Sequence, residues 1–133
     1  MVAMALILLA DDDELVGAVV REALSARGHV VGIVENGLDA VRVVELKRPA
    51  LLILDCAMPK MNGIEALKRI RVSATAYRTP VLMLTGRRSE LDKEIAMRAG
   101  ANDYLKKPFD ADQLVAHVED LLAQASNSRP TGF

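Results

Sequence analysis

Short apolar runs and amphipathic stretches alternate along the chain. Ala5 to Ala10 (ALILLA) is apolar throughout and stops at Asp11-Asp12-Asp13-Glu14. Leu51-Leu52-Ile53-Leu54 and Val81-Leu82-Met83-Leu84-Thr85 are equally unbroken, and Val30 to Val34 is rich in β-branched residues. Runs of this length without alternation suit strands buried on both faces of a sheet. Asp103 to Lys106 is mixed, as an edge strand should be. Between the runs, apolar residues recur at helical spacing. The first such stretch, to about Arg27, turns Leu15, Val19, Val20, Ala23 and Leu24 inward, and Gly28 ends it in the left-handed conformation. Asn36 caps a second helix over roughly 38–47 that carries Leu38, Val41 and Val44, and Pro49 closes the connection. Asn62, with Glu65 three residues on, opens a third helix with Ile64, Leu67 and Ile70 inward. A fourth, over about 89–99, has a thin stripe of Leu91, Ile95 and Ala99, turns Met97 outward and stops at Gly100. Asp110 and Gln113 cap the last helix, with Leu114, Val118, Leu121, Leu122 and Ala125 on one face.

The order is therefore β-α five times. Right-handed crossovers then require an α/β fold, a five-stranded parallel sheet covered by helices on both faces. A single domain over residues 1–124 is expected, with an aperiodic and disordered tail over 125–133.

Composition removes several classes of function. At 51% apolar and 3% aromatic, the core is aliphatic. A formal net charge of −1 leaves no basic excess for general nucleic-acid binding. Cys56 is the only cysteine, so no intrachain disulfide forms and a reducing compartment is the natural home. No run reaches the length of about 18 apolar residues that a membrane span needs. The apolar start lacks the basic segment of a signal peptide. A soluble cytoplasmic domain that binds neither nucleic acid nor membrane is the expectation.

The chemistry lies at the strand ends. In a parallel sheet all carboxyl ends share one edge, where ligands bind. The first strand delivers Asp11 and Asp12 there, the third Asp55, the fourth Thr85, and the turn after the fifth Lys107, just before Pro108. Asp13 or Glu14 serves the start of the first helix. Clustered carboxylates with a backbone carbonyl form a hard oxygen site suited to a hydrated divalent ion such as Mg2+. With such an ion, Asp55 is placed as a nucleophile toward a phosphoryl group, with Lys107 and the Thr85 hydroxyl on the remaining oxygens.

The stretches ILLADDDE, LLILDCAMPKMNG, LMLTG and AGANDYLKKPF, in this order and spacing, resemble a response-regulator receiver domain of bacterial two-component signalling over about residues 5–123. The resemblance implies a flavodoxin-like three-layer α/β/α fold with strand order 2-1-3-4-5. It implies Asp55 as phospho-acceptor, Mg2+ held by Asp11, Asp12, Asp55 and the Ala57 carbonyl, and a cis Lys107–Pro108 bond. Thr85 and Lys107 become the phosphoryl-sensing pair and Tyr104 the aromatic switch.

The implied function is a phosphorylation switch rather than an enzyme. Its donor would be a sensor histidine kinase or histidine phosphotransfer protein, and its output a changed protein-binding surface. The last helix lacks the arginines of receivers that pair through their fourth and fifth helices, and His117 stands where one of them would be. A monomer or weak dimer follows. A phosphohydrolase using the same aspartate is disfavoured by short loops without a cap domain, and a constitutive docking module by the intact site. Flavin binding is disfavoured by the acidic first loop. Finally, Ala57 and Arg87 flank the approach of water to a phosphorylated Asp55. Ala57 has no group to hold a water. The long, cationic Arg87 is expected to lie across the phosphoryl oxygens and obstruct the approach, so self-dephosphorylation is expected to be slow.

Overall fold

Ten elements alternate as anticipated in a computed structural model that describes residues 4–86 and 90–127. The strands are β1 (Leu6–Ala10), β2 (Val30–Val34), β3 (Leu51–Asp55), β4 (Val81–Thr85) and β5 (Asp103–Lys106). The helices are α1 (Glu14–Ser25), α2 (Gly37–Lys47), α3 (Gly63–Arg71), α4 (Glu90–Ala99) and α5 (Ala111–Asn127). All strand pairs are parallel, in the order β2-β1-β3-β4-β5.

The unbroken apolar runs are explained by burial on two sides. Along β1, Ile7 and Leu9 join a core with Val20 and Leu24 of α1 and Leu114 and Val118 of α5. Leu8 and Ala10 join the opposite core, with Val44 of α2, Leu67 and Ile70 of α3, and Ala96 of α4. β3 and β4 are buried at every position. Both central strands therefore feed two cores at once, and their ends are fixed in register.

Side-chain caps define the helix starts. Asn36 accepts the Asp39 amide and Asn62 the Glu65 amide, at 2.8 and 2.9 Å. Asp110 and Gln113 exchange two such bonds, at 2.8 and 3.0 Å. Gly28 takes φ +88° after α1 and Gly100 takes φ +112° after α4.

Three expectations need correction. On α1, Leu15 and Val19 are 73% and 38% exposed, while Gly17, Val20 and Leu24 are buried. Gly17 is the cause: a Cβ there would lie 3.3 Å from Ile33, so the helix approaches β2 along its glycine and rotates the buried line away from Leu15. On α4 the inward residue is Ala96, and Ile95 is exposed; a small side chain lets this helix share a core with Tyr104. Met97 is exposed as expected, and the Leu91 side chain lies outside the described residues. Finally, α5 continues through Ala125 to Asn127, into the segment expected as tail, with Gln124 hydrogen-bonded one turn back to Asp120 at 2.8 Å. Residues 128–133 lie outside the described residues.

Candidate functional site

The carboxyl edge of the sheet brings the acids together. The Asp11 amide donates to the Val34 carbonyl at 3.0 Å, extending the β1–β2 ladder one residue beyond β1. Its carboxylate is buried, accepting the Asp13 amide on Oδ1 at 2.9 Å and the Lys107 ammonium on Oδ2 at 2.8 Å. Asp12 points to solvent. Asp13 does what the helix start requires, accepting the amides of Leu15 and Val16 as N-cap of α1.

Asp55 ends β3 with its side chain buried. The backbone beyond it is pinned on both sides: Cys56 donates to the Leu84 carbonyl at 3.0 Å, and Gly63 donates to the Cys56 carbonyl at 2.9 Å. A Cβ at position 63 would stand 2.1 Å from the Asp55 carbonyl oxygen, so α3 reaches the strand end only through glycine.

Lys107 Nζ bridges the two carboxylates, 2.8 Å from Asp11 and 3.2 Å from Asp55. Its amide donates to the Thr85 carbonyl at 2.7 Å, which ties the turn after β5 to the end of β4, and the Lys107–Pro108 peptide is cis. Thr85 is fully buried at the same edge. Tyr104 is buried in β5 opposite Met83, in the core that includes Ala96. Ala57 is exposed in the loop after β3, and Arg87 lies outside the described residues.

The electrostatics follow from this packing. Burial, and then the charge of Asp11, push the Asp55 carboxyl above the usual aspartate value, while Lys107 pulls it back. For Lys107, burial acts to lower the pKa, but hydrogen bonds and charges from Asp11 and Asp55 prevail and hold it above the usual lysine value. One ammonium thus bridges two carboxylates of a cluster of three. Asp11, Asp12 and Asp55 each offer an oxygen within 4.8 Å of the others'. An excess of negative charge on hard oxygen donors, open to solvent at Asp12, fits a partly hydrated Mg2+.

Two features were not anticipated from the sequence. An open cleft of about 750 Å³ adjoins Asp11, lined among others by Asp13, Arg21, Asn36 and Lys60. The loop between β3 and α3 makes a tight turn in which the Met61 amide donates to the Pro59 carbonyl at 2.7 Å around Lys60, whose φ is +66°. The Gly37 amide meets this loop directly, donating to the Met61 carbonyl at 3.0 Å.

Comparison with known proteins agrees with this geometry. Residues 7–119 match the family model described as the response regulator receiver domain. The transcriptional regulatory protein CpxR of Escherichia coli (strain K12) is 40% identical over 119 residues, covering 90% of this chain and 50% of CpxR. The response regulator MprA of Mycobacterium leprae is 38% identical over 116 residues, covering 87% of this chain and 50% of MprA. The chain thus spans about half the length of the curated relatives it matches. Among solved structures, a response regulator from Chloroflexus aurantiacus superposes with a TM-score of 0.86 at 33% identity, over 91% of this chain and 99% of the other. The receiver domain of the sensor histidine kinase PA1611 from Pseudomonas aeruginosa, solved with a magnesium ion in its active-site cleft, gives 0.84 at 32% identity, with 91% and 99% covered.

Proposed function

This chain belongs to the response regulator receiver domain family, with its flavodoxin-like fold, and on that premise we propose that Asp55 is its phospho-acceptor. The supporting observation is the placement of Asp55, buried at the carboxyl edge and joined to Asp11 by the bridging Lys107 ammonium. Lys107 holds Oδ1 of Asp55 at 3.2 Å, and a carboxylate oxygen of Asp55 is the attacking atom. It forms a bond to phosphorus while the bond from phosphorus to the donor nitrogen breaks. The imidazole of the donor histidine leaves with that electron pair and takes a proton from solvent. Asp11, Asp12, Asp55 and the Ala57 carbonyl would hold Mg2+, which when bound supplies positive charge against the phosphoryl oxygens. Lys107 is the chain's own cation at Asp55, and the Thr85 hydroxyl is the donor drawn toward the phosphoryl group.

The donor is a sensor histidine kinase or a histidine phosphotransfer protein, and the reaction is a single stoichiometric transfer without turnover of substrate. Movement of Thr85 and Tyr104 then remodels the face made by α4, β5 and α5, where Ile95 and Met97 are exposed. On that face His117 Nδ1 lies 2.6 Å from Asp103 of its own chain. The last helix lacks the arginines of receivers that pair through this face, which supports a monomer or weak dimer. Among the described residues no helix is long and apolar enough to cross a membrane.

The test is incubation with phosphoramidate and Mg2+, followed by intact mass. One added phosphoryl group per chain, absent without Mg2+ and in Asp55→Asn, is expected. Labelling of the asparagine variant at the parental rate, or continuous turnover of p-nitrophenyl phosphate, would contradict the assignment.

A further inference from the structure

The turn that follows Asp55 is held in a conformation it would not keep by itself. Lys60 is a non-glycine residue at φ +66°, closed by the bond from the Met61 amide to the Pro59 carbonyl. Three-residue turns of this hand are strained, and persist where the surroundings over-determine them. Two anchors do so here. The Met61 side chain is buried in the core shared by α2 and α3. The Met61 carbonyl accepts the Gly37 amide at 3.0 Å.

Gly37 is the first residue of α2, so its amide has no acceptor within the helix. The capping side chain does not serve it either, because Asn36 Oδ1 accepts the Asp39 amide while Nδ2 donates to the Asp39 carboxylate. The fit at this contact is closed. A Cβ on Gly37 would lie 2.1 Å from the Met61 carbonyl oxygen, 2.8 Å from its carbon and 2.9 Å from the Met61 Cβ. The obstacle is mainly backbone, so rotation of a side chain gives no relief.

We propose that Gly37 is a positioning residue for phosphoryl acceptance: its amide clamps the strained turn at Lys60 and thereby fixes the loop that carries Ala57 in its place relative to Asp55. The proposal rests on the phospho-acceptor reading. Between the clamp and the strand end lie only residues 56–60, and their far side is fixed by the contacts of Cys56 with Leu84 and Gly63. Release of Met61 lets this segment relax toward an unstrained turn, which shifts the Ala57 carbonyl relative to Asp55.

The test is Gly37→Ala, with Gly32→Ala as control, because a Cβ at Gly32 meets only Leu8 Cδ1 at 3.6 Å. Mg2+ affinity is measured by calorimetry and labelling by phosphoramidate. A displacement of about 1 Å at a reacting group can cost roughly a hundredfold in rate, so Gly37→Ala should label about tenfold to a hundredfold more slowly. Its Mg2+ affinity should fall as well, while Gly32→Ala matches the parent in both. The decisive variant adds Lys60→Gly, since glycine adopts this φ without strain and the turn then needs less holding. Lys60→Gly should restore several-fold of the lost rate and affinity. Parental affinity and rate in Gly37→Ala would overturn the proposal, as would a loss that Lys60→Gly leaves unchanged, which would mark a general disturbance of α2.

Amide exchange in the unmutated chain keeps the proposal open to refutation if Gly37→Ala does not fold. Linkage is reciprocal, so saturating Mg2+ should slow exchange of the Gly37 amide by about threefold or more and leave that of Gly32 unchanged. An unresponsive Gly37 amide would overturn the clamp. A parent that binds Mg2+ but never labels would instead remove the phospho-acceptor reading, and the affinity and exchange results would still judge the clamp.

Discussion

Asp55 is costly to the fold as well as central to the proposed chemistry. Its carboxyl is held above its usual pKa, first by burial and then by Asp11. A raised pKa means that the fold favours the protonated form. The stabilising difference is present below the unfolded-state value and is lost as pH rises through the folded one. Asp55→Asn should therefore melt higher than the parent at pH 7 without metal. That advantage should shrink as pH falls and the parent takes up its proton. Thermal melts between pH 3 and 7 give the comparison, and an advantage that grows on acidification would mean that burial does not dominate at this site. Asp12 and Asp13 separate just as cleanly. Asp13→Ala removes a helix cap, which costs about 1 kcal/mol in stability, and should leave Mg2+ affinity near the parent's. Asp12→Ala should do the reverse, and equal loss of affinity in both would contradict the division of roles. In the sequence these acids are simply four adjacent charges. The capping role of Asp13 was legible from its place before an apolar stripe. That Asp11 and Lys107 form an ion pair was less so, because they are 96 residues apart and only the closed sheet brings them to 2.8 Å.

Element boundaries were the more legible part, because strands buried on both faces and capped helices leave marks in a single sequence. β3 ends where the aliphatic run meets Asp55, and α3 begins at the Asn62 cap. Which face of a helix turns inward was harder to read wherever a small residue sets the approach. Gly17 on α1 and Ala96 on α4 carry almost no hydrophobic signal, yet they determine the buried line. Arg71, at the end of α3, was likewise invisible as a structural residue. Its guanidinium donates to the carbonyls of Gly100, Tyr77 and Thr79 and to the Asn102 side chain, at 2.7 to 3.0 Å. Burial lowers its pKa, and the acceptors are all neutral. It staples α3 to the turns before β4 and β5. Arg71→Met strands several carbonyls and should cost roughly 2–4 kcal/mol, as read from urea unfolding with the slope unchanged. Arg71→Lys should recover only part of this, because one ammonium cannot span the same fork. A cost below about 0.5 kcal/mol, ordinary for a surface change, would show that the staple is ornamental.

For the whole molecule, the sheet converts distant sequence positions into one charged edge, and that edge should govern stability as well as chemistry. Mg2+ that binds only the folded chain should stabilise it by about 2.7 kcal/mol at a hundredfold excess over its Kd. Thermal melts across a Mg2+ titration measure this, and the gain should be lost on adding chelator and largely absent in Asp12→Ala. A melting temperature indifferent to Mg2+ would separate the acid cluster from metal binding. The α4-β5-α5 face, opposite in chain order to the acids of β1, is tied to the same edge through Lys107 and Thr85. On the proposed function, a charge added at Asp55 acts on that face by this route. Whether the charge arrives at that residue is open to direct chemical measurement. An acyl phosphate on aspartate is reduced by borohydride to the alcohol, leaving homoserine at the modified position. After incubation with phosphoramidate and Mg2+, reduction and peptide mapping should find homoserine at position 55 and at no other aspartate. Homoserine at Asp11 or Asp12, or an unmodified position 55 in a fully labelled chain, would contradict the account.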